Sequence, residues 1–186
     1  MSLKDKKKWN NKFAGPEYIT GEEPVGWFKE HASLLPGQGK GLDIASGEGR
    51  NAVYAATLGY DMLAIDISET GLEKAQALAE KNQTRIRTQV TDLDDYCIET
   101  SAYDLILCFQ FLNRQLFPQI LKGLKPGGWL IYETFNRDYL KYTNFREEWV
   151  LDYNELLREF SDLRVMRYRE FDRDEKGLSS IVAWAQ

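Results

Sequence analysis

The chain has 186 residues, 43% hydrophobic and 28% charged, a composition typical of one soluble globular domain. Its formal net charge of −5 gives no broad electrostatic reason for binding nucleic acid or an anionic membrane. Apolar runs such as residues 105–109 fall far short of the roughly 20 residues that span a bilayer. With two cysteines, one histidine and no signal-peptide pattern, the sequence predicts a cytoplasmic protein with no disulfide framework and no metal site.

Helical and strand patterns alternate along the chain after its first 24 residues. Residues 1–24 are polar and aromatic, with turn signals at Gly15-Pro16 and Glu23-Pro24, and they predict an arm that precedes the main domain, residues 25–186. The predicted elements are a helix at 25–35, a strand at 40–44, a helix at 51–58, a strand at 61–67, a helix at 68–83, strands at 86–90 and 103–109, a helix at 116–124, a strand at 129–134, a helix at 152–160, and strands at 164–171 and 178–185.

This order of elements predicts the fold class. Strands that alternate with helices are typical of a parallel sheet covered on both faces. A short charged turn ending at Gly177 joins the last two strands, so one of them must run antiparallel. We therefore expect a single-domain α/β protein: a Rossmann-like, doubly wound sheet of about seven strands, mostly parallel, with an antiparallel C-terminal hairpin.

A glycine-rich turn at residues 42–52, between the first strand and the next helix, is the most informative segment. Gly47 and Gly49 can adopt positive φ and let the backbone approach a ligand closely, while the helix behind them directs free N–H groups at the turn. Asp66 ends the next strand, 66 − 49 = 17 residues past Gly49, where a carboxylate can accept hydrogen bonds from two ribose hydroxyls. The combination predicts nucleoside binding; the alternative is that Asp66 only caps a helix.

Two acidic residues distinguish between the candidate ligands. Asp43 lies just before the glycines, where a carboxylate would repel a pyrophosphate but suit a sulfonium or ammonium group. Asp92 and Leu93 follow the third strand, where the acid can accept from an adenine amino group and the next N–H can donate to a ring nitrogen. Both favour S-adenosylmethionine over a nicotinamide dinucleotide, although the spacing of Gly47 and Gly49 also fits the dinucleotide pattern.

Over residues 40–135 the sequence resembles the class I S-adenosylmethionine-dependent methyltransferases. The matching pieces occur in the family's order at residues 43–49, 66–68, 92–93, 103–109 and 124–128. Residues 18–24, 47–52 and 133–135 resemble the tellurite-resistance-type, small-molecule branch. The resemblance implies S-adenosylmethionine as cofactor and in-line methyl transfer to a small-molecule acceptor, with neither nucleic acid nor a membrane as partner.

The resemblance also implies a set of cofactor-binding residues. Asp43 and Glu48 would lie near the methionine end, Asp66 would hold the ribose, and Ile67 would pack on the adenine. Ala45 departs from the family's usual glycine, and alanine is tolerated there only if φ is negative, since a positive φ would strain the loop. The implied cofactor residues are Asp43, Ala45, Ser46, Gly47, Glu48, Gly49, Asn51, Asp66, Ile67, Asp92, Leu93 and Phe109.

The methyl acceptor is expected where the strand order of the sheet reverses, at the ends of the first and fourth strands. The segment after the fourth strand then faces the acceptor, and the arm either closes over the site as a lid or adds its aromatic side chains to the core. The candidate acceptor-binding residues are Trp9, Tyr18, Phe111, Asn113, Arg114 and Glu133. No catalytic base is predicted, because positioning and desolvation can supply much of the acceleration for an anionic acceptor.

Two other functions are compatible with these motifs. A non-catalytic regulator that binds S-adenosylmethionine would have an acceptor pocket plugged by side chains. A nicotinamide-dependent oxidoreductase would need room for a second substrate domain, and Asp43 argues against its pyrophosphate.

Overall fold

A mixed seven-stranded sheet organises the computed structural model, which describes residues 3–186. The strands are β1 (Gly39–Ile44), β2 (Tyr60–Asp66), β3 (Arg87–Val90), β4 (Tyr103–Phe109), β5 (Leu124–Phe135), β6 (Arg164–Arg173) and β7 (Lys176–Trp184). Their order is β3-β2-β1-β4-β5-β7-β6, in which β1 to β5 are parallel and β7 is antiparallel to both of its neighbours. The predicted fold class is confirmed, including its antiparallel C-terminal hairpin.

Helices cover the two faces of this sheet. They are α1 (Leu3–Phe13), α2 (Gly26–His31), α3 (Arg50–Thr57), α4 (Glu69–Lys81), α5 (Phe117–Gly123) and α6 (Glu155–Glu159). The helix predicted from residue 152 begins later, because Asn154 adopts a positive φ of 58°. Across residues 3–186, no helix combines the length and the apolar composition needed to cross a bilayer.

The central strand β4 is buried on both faces, which explains its continuous apolar sequence. Leu105, Leu107 and Phe109 enter the core beneath α2 and α3, whereas Ile106 and Cys108 enter the core beneath α5 and α6. Side chains alternate between the faces of a strand, so a strand with helices on both sides is apolar at every position. This packing fixes the end of β4 beside the ends of β1 and β5.

The predicted arm, residues 1–24, contains a helix that the sequence pattern does not predict; Met1 and Ser2 lie outside the described residues. Five of the 11 residues of α1 are lysines, and within this helix only Phe13 is buried. Phe13 stacks on Trp9, with 5.5 Å between the ring centroids, and contacts the start of α4 at Gly71. Helices this short depend on tertiary packing, so α1 has little local signal in the sequence.

Candidate functional site

The carboxyl ends of β1, β2 and β4 surround a cavity of about 150 Å³ at the point where the strand order reverses. Eight of the predicted cofactor residues line it: Asp43, Ala45, Ser46, Gly47, Asn51, Asp66, Ile67 and Phe109. Two predicted acceptor residues, Trp9 and Phe111, line it as well. Phe13, Thr20, Arg50 and Gln110 complete the wall without having been selected from the sequence. Thr20 and Phe13 belong to the arm, and no local pattern connects them with the glycine turn.

Asp43, at the end of β1, is only 1% exposed. Its Oδ2 is buried and has no hydrogen-bond partner among the described residues. Burial, with a smaller contribution from the neighbouring Asp66, raises the pKa of Asp43 to about 8 against the opposing effects of the Ala52 N–H and Arg50. Since buried carboxylate oxygens are normally paired, this one fits a positively charged group bound in the cavity.

Asp66 connects the end of β2 to the glycine turn. Its Oδ2 accepts a hydrogen bond from Gly47 N at 2.9 Å, and its Oδ1 accepts from Ser68 N at 2.8 Å. Burial raises the pKa of Asp66 more than these N–H bonds lower it. Each carboxylate oxygen can accept a second bond, so the side chain can still receive two ribose hydroxyls.

We expect Asp66→Ala to weaken cofactor binding at least about tenfold, because hydrogen bonds to a charged group contribute about 1.5–3 kcal/mol each. Isothermal titration calorimetry with S-adenosylhomocysteine measures this loss. Asp61→Ala is the matched control, since Asp61 is an exposed aspartate of the same strand that pairs with Arg87. Equal affinities of the two variants would remove Asp66 from the site.

The glycine turn follows a left-handed path at three of its residues. Ala45, Gly47 and Gly49 have φ values of +55°, +54° and +81°. Of the three, only Ala45 is strained, because the Cβ of alanine makes a positive φ unfavourable, whereas glycine has no Cβ. Gly49 does not line the cavity; a Cβ on it would lie 2.4 Å from the Cβ of Ala75, so its role is to bring α3 against α4.

Ala45→Gly should stabilise the protein by up to about 1 kcal/mol. Left-handed backbone costs alanine roughly 1–2 kcal/mol, and the greater freedom of glycine in the unfolded chain offsets part of the gain. Urea unfolding measures the difference. Ala52→Gly, at a helical position in α3, is the control and should destabilise by about 1 kcal/mol or more. A similar loss in both variants would show that Ala45 is not strained.

Glu48, predicted to lie at the methionine end of the cofactor, is buried beneath the arm and does not line the cavity. Its carboxylate accepts hydrogen bonds from Ile19 N at 3.3 Å, Thr20 N at 2.9 Å and Thr20 Oγ1 at 2.8 Å. Lys74 of α4 forms an ion pair with it at 2.8 Å. Burial opposes ionisation, but the bonds from Lys74 and Thr20 together hold the pKa of Glu48 below its usual value.

The next residues of the same motif also hold the arm. The Arg50 guanidinium donates to the carbonyl oxygen of Thr20, and Asn51 Oδ1 accepts from Val25 N at 2.9 Å. The motif therefore has two structural roles. Its backbone forms part of the cavity wall, and the side chains of Glu48, Arg50 and Asn51 also hydrogen-bond to residues 19–25. The sequence gives no sign of this second role, because the partners are 26–30 positions apart.

The predicted adenine-binding pair lies at the end of β3, outside the lining of the cavity. Asp92 is half-buried, and its Oδ1 accepts from Asp94 N at 3.0 Å. Leu93 is buried in the core beneath α5 and α6. The segment after β3 is joined to the site through Thr91, whose N–H donates a hydrogen bond to the carbonyl oxygen of Asp66 at 2.9 Å.

Three of the predicted acceptor residues also lie outside the cavity walls and make structural contacts instead. Tyr18 Oη donates to the carbonyl of Lys74 at 3.0 Å, and Asn113 Oδ1 caps a turn that begins at Arg114. Arg114 forms an ion pair with Glu155 at 2.6 Å, which attaches α6 to the end of the β4 loop. Their contact with an acceptor stays a prediction, although none of the three side chains lines either cavity.

A second cavity of about 490 Å³ adjoins the first, and Thr20, Arg50 and Gln110 line both. Residues 20–24 of the arm, together with residues 25 and 26 at the start of α2, form one wall, and the ends of β5 and β7 form the other. Glu133, the remaining predicted acceptor residue, lines it at the end of β5. Phe135, Tyr139, Lys176 and Leu178 also line this cavity and had not been selected from the sequence.

Sequence comparisons identify relatives of this chain. A family model described as a methyltransferase domain matches residues 42–128. The probable S-adenosyl-L-methionine-dependent methyltransferase TehB of Haemophilus influenzae is 31% identical over 139 residues, which cover 70% of this chain and 48% of TehB. A ubiquinone biosynthesis O-methyltransferase of Acinetobacter baylyi is 32% identical over 125 residues, covering 63% of this chain and 52% of its own. The chain thus spans about half the length of these curated relatives.

Solved structures share the fold. The crystal structure of TehB from Haemophilus influenzae superposes with a TM-score of 0.73 at 21% identity, covering 97% of this chain and 67% of that one. A second structure is that of geranyl diphosphate C-methyltransferase from Streptomyces coelicolor, crystallised with S-adenosyl-L-homocysteine. It superposes with a TM-score of 0.69 at 13% identity, and the match covers 98% of both chains.

With this fold and this glycine turn, the chain belongs to the class I S-adenosylmethionine-dependent methyltransferases, whose cofactor is S-adenosylmethionine. Within that family it is of the tellurite-resistance type that TehB represents. The family and the branch predicted from the sequence are both confirmed.

Proposed function

We propose that the protein transfers a methyl group from S-adenosylmethionine to a small molecule held in the second cavity. The observation that carries this proposal is the junction of the two cavities. One of them has an unpartnered buried carboxylate oxygen, on Asp43, and the two share Thr20, Arg50 and Gln110. A cofactor in the first cavity and an acceptor in the second would meet at this junction.

The residues of the first cavity fit S-adenosylmethionine, which supplies a methyl group on a positively charged sulfur when it is bound. Asp43 Oδ2 would face the positively charged end, and Ser46 Oγ, also buried and unpartnered among the described residues, would bind a polar group. Asp66 would hold the ribose hydroxyls. A pyrophosphate in the same place would meet the Asp43 carboxylate, which argues against a nicotinamide dinucleotide.

The arm has a positioning role in this proposal. Trp9 and Phe13 line the first cavity, and residues 20–24 line the second, so the arm covers the junction where transfer would occur. Methyl transfer by in-line displacement depends on alignment of the reacting atoms and exclusion of water. We infer that residues 1–24 act as a lid over residues 25–186.

The size of the second cavity supports a small-molecule acceptor. Its volume of about 490 Å³ leaves room for a small organic molecule beside the first cavity. By their names, the relatives act in ubiquinone biosynthesis and on geranyl diphosphate, both of which concern small molecules. An open second cavity also favours an enzyme over a regulator, for which we expected a plugged pocket.

Thermal unfolding with different ligands tests this proposal. S-Adenosylmethionine and S-adenosylhomocysteine should each raise the melting temperature, whereas NAD should not, since only a ligand that binds the native state stabilises it. Transfer of tritium from S-[methyl-³H]adenosylmethionine to a small molecule would then distinguish an enzyme from a regulator. Stabilisation by NAD alone would contradict the proposal.

A further inference from the structure

We propose that the acceptor is a neutral molecule with a hydroxyl or thiol on an apolar body, and that Glu133 accepts its proton. This inference rests on the proposed function and adds the substrate class and a catalytic residue. It depends on where the Glu133 carboxylate lies, on which of its oxygens is engaged, and on what else lines the second cavity.

Glu133 lines the second cavity and is bonded to a residue of the junction. It is paired with Phe109 in the register of β4 and β5, and its carbonyl accepts a hydrogen bond from Gln110 N at 2.8 Å. Gln110 lines both cavities, and Glu133 lines the second. The side chain is 5% exposed, so it faces the protein interior and this cavity rather than bulk solvent.

The carboxylate of Glu133 is held through one of its two oxygens. Ser180 Oγ donates to Oε2 at 2.5 Å, and Arg169 donates to the same oxygen at 3.1 Å. Arg169 is itself fixed over the ring of Trp27, 4.3 Å from the ring centroid. Neither of these bonds reaches Oε1, so a firmly oriented carboxylate keeps an oxygen for a donor in the cavity.

Other groups around the second cavity favour the same class of acceptor. The rings of Phe135 and Tyr139 stack with their centroids 4.0 Å apart, and together with Leu178 they give the cavity an apolar wall. Arg50, at the junction, interacts electrostatically with both Glu133 and Asp43. An acceptor with an apolar body can pack on this wall, with its reacting atom between Glu133 and Arg50.

The proposed step balances without a further reactant. A lone pair on the acceptor's oxygen or sulfur forms the new bond to the methyl carbon, and the carbon–sulfur bond of the cofactor breaks with its electron pair staying on sulfur. The proton of the hydroxyl or thiol passes to Glu133 and from there to solvent, while Arg50 offsets the negative charge that develops on the acceptor. A preformed anion has no proton to give, so the open oxygen of Glu133 could neither accept a hydrogen bond from it nor assist its methylation.

Methyl transfer by the full-length chain to two sets of acceptors tests the inference. Catechol and benzyl mercaptan are neutral and carry a proton on the reacting atom, whereas iodide, thiocyanate and tellurite are preformed anions. We expect transfer to the neutral set, and a fall in kcat of about 100-fold or more in Glu133→Gln, since positioned proton acceptors contribute 10²–10⁴-fold. Glu133→Asp should restore part of this loss. Glu159→Gln, an exposed position on α6, is the matched control and should behave as wild type.

Calorimetry with S-adenosylhomocysteine and the melting temperature show whether Glu133→Gln remains folded and binds the cofactor. An unchanged kcat in that variant, transfer to the anions alone, or cofactor binding without transfer to any of these compounds would each overturn the inference and leave the cofactor site intact. Failure to bind S-adenosylhomocysteine at all would instead reject the proposed function, and this inference with it.

Discussion

Asp43→Asn should stabilise the unliganded protein above pH 7 and at the same time weaken the binding of S-adenosylmethionine. Burial raises the pKa of Asp43 from 3.8 to about 8, so the folded protein favours the protonated form. Relative to the charged form, the stabilisation of the folded state by the protonated carboxyl is fully present below about pH 4. It is lost as the pH rises toward 8. At about 1.4 kcal/mol per pKa unit, the loss over this range is on the order of a few kcal/mol. Asparagine carries no ionisable group, so Asp43→Asn does not lose stability in this way.

Urea unfolding between pH 5 and 9 measures this effect. The wild-type free energy of unfolding should decline over that range more steeply than that of Asp43→Asn, while Asp61→Asn, an exposed control on β2, should follow the wild type. Identical pH dependence of wild type and Asp43→Asn would show that the carboxyl group is not buried in its charged form. Because the Asp43 side chain is only 1% exposed, the substitution affects stability as well as cofactor binding.

The same variant locates the charge of the cofactor. S-Adenosylmethionine carries a sulfonium and an ammonium group, whereas S-adenosylhomocysteine carries the ammonium group alone. If Asp43 faces the sulfonium, Asp43→Asn weakens the first ligand more than the second; if it faces the ammonium, both weaken equally. Calorimetry that finds neither ligand weakened would remove Asp43 from the cofactor site.

Glu48→Ala should release the arm from the glycine turn. The substitution removes three hydrogen bonds from residues 19 and 20 and leaves Lys74 without its carboxylate. Loss of one partner from a buried ion pair costs about 3–5 kcal/mol, and Lys74 is 16% exposed, so we expect the lower end. Glu73→Ala, at an exposed position on α4, is the control and should change stability little.

Hydrogen exchange shows whether the arm behaves as a lid. We expect residues 9–24 of the wild type to exchange more slowly with S-adenosylhomocysteine than without it, and expect Glu48→Ala to speed exchange in both states and to lose most of the protection by ligand. Deletion of residues 1–20 should leave a folded domain with much reduced methyl transfer. Equal protection with and without ligand would mean that Trp9 and Tyr18 only complete the core.

The low pKa of Glu48 gives the arm a pH dependence opposite to that of Asp43. Because the folded state holds this pKa below its usual value, the stabilisation is present at neutral pH and is lost as the pH falls through the folded-state pKa. Exchange in residues 18–25 should therefore increase in acid before the central strands unfold.

The sequence by itself determined the alternation of strands and helices, the reversal at the C-terminal hairpin, and the position of Asp43 and Asp66 around the glycine turn. These features follow from local rules, since the period of apolar residues and the glycines are visible within a few positions of one another. The motif order was also sufficient to identify the family. The role of the cofactor turn's backbone could be predicted because a strand, a turn and a helix follow one another directly.

Tertiary structure decided what the side chains of the same motif contact. Glu48 lies next to Gly47 in sequence, yet it faces residues 19 and 20, and Arg114 forms an ion pair with Glu155, 41 positions away. The second cavity likewise depends on segments brought together from the arm, β5 and β7. A backbone pattern is encoded by neighbours in the chain, but a side chain's partner is set by which distant surfaces pack against it, and no local period encodes that choice.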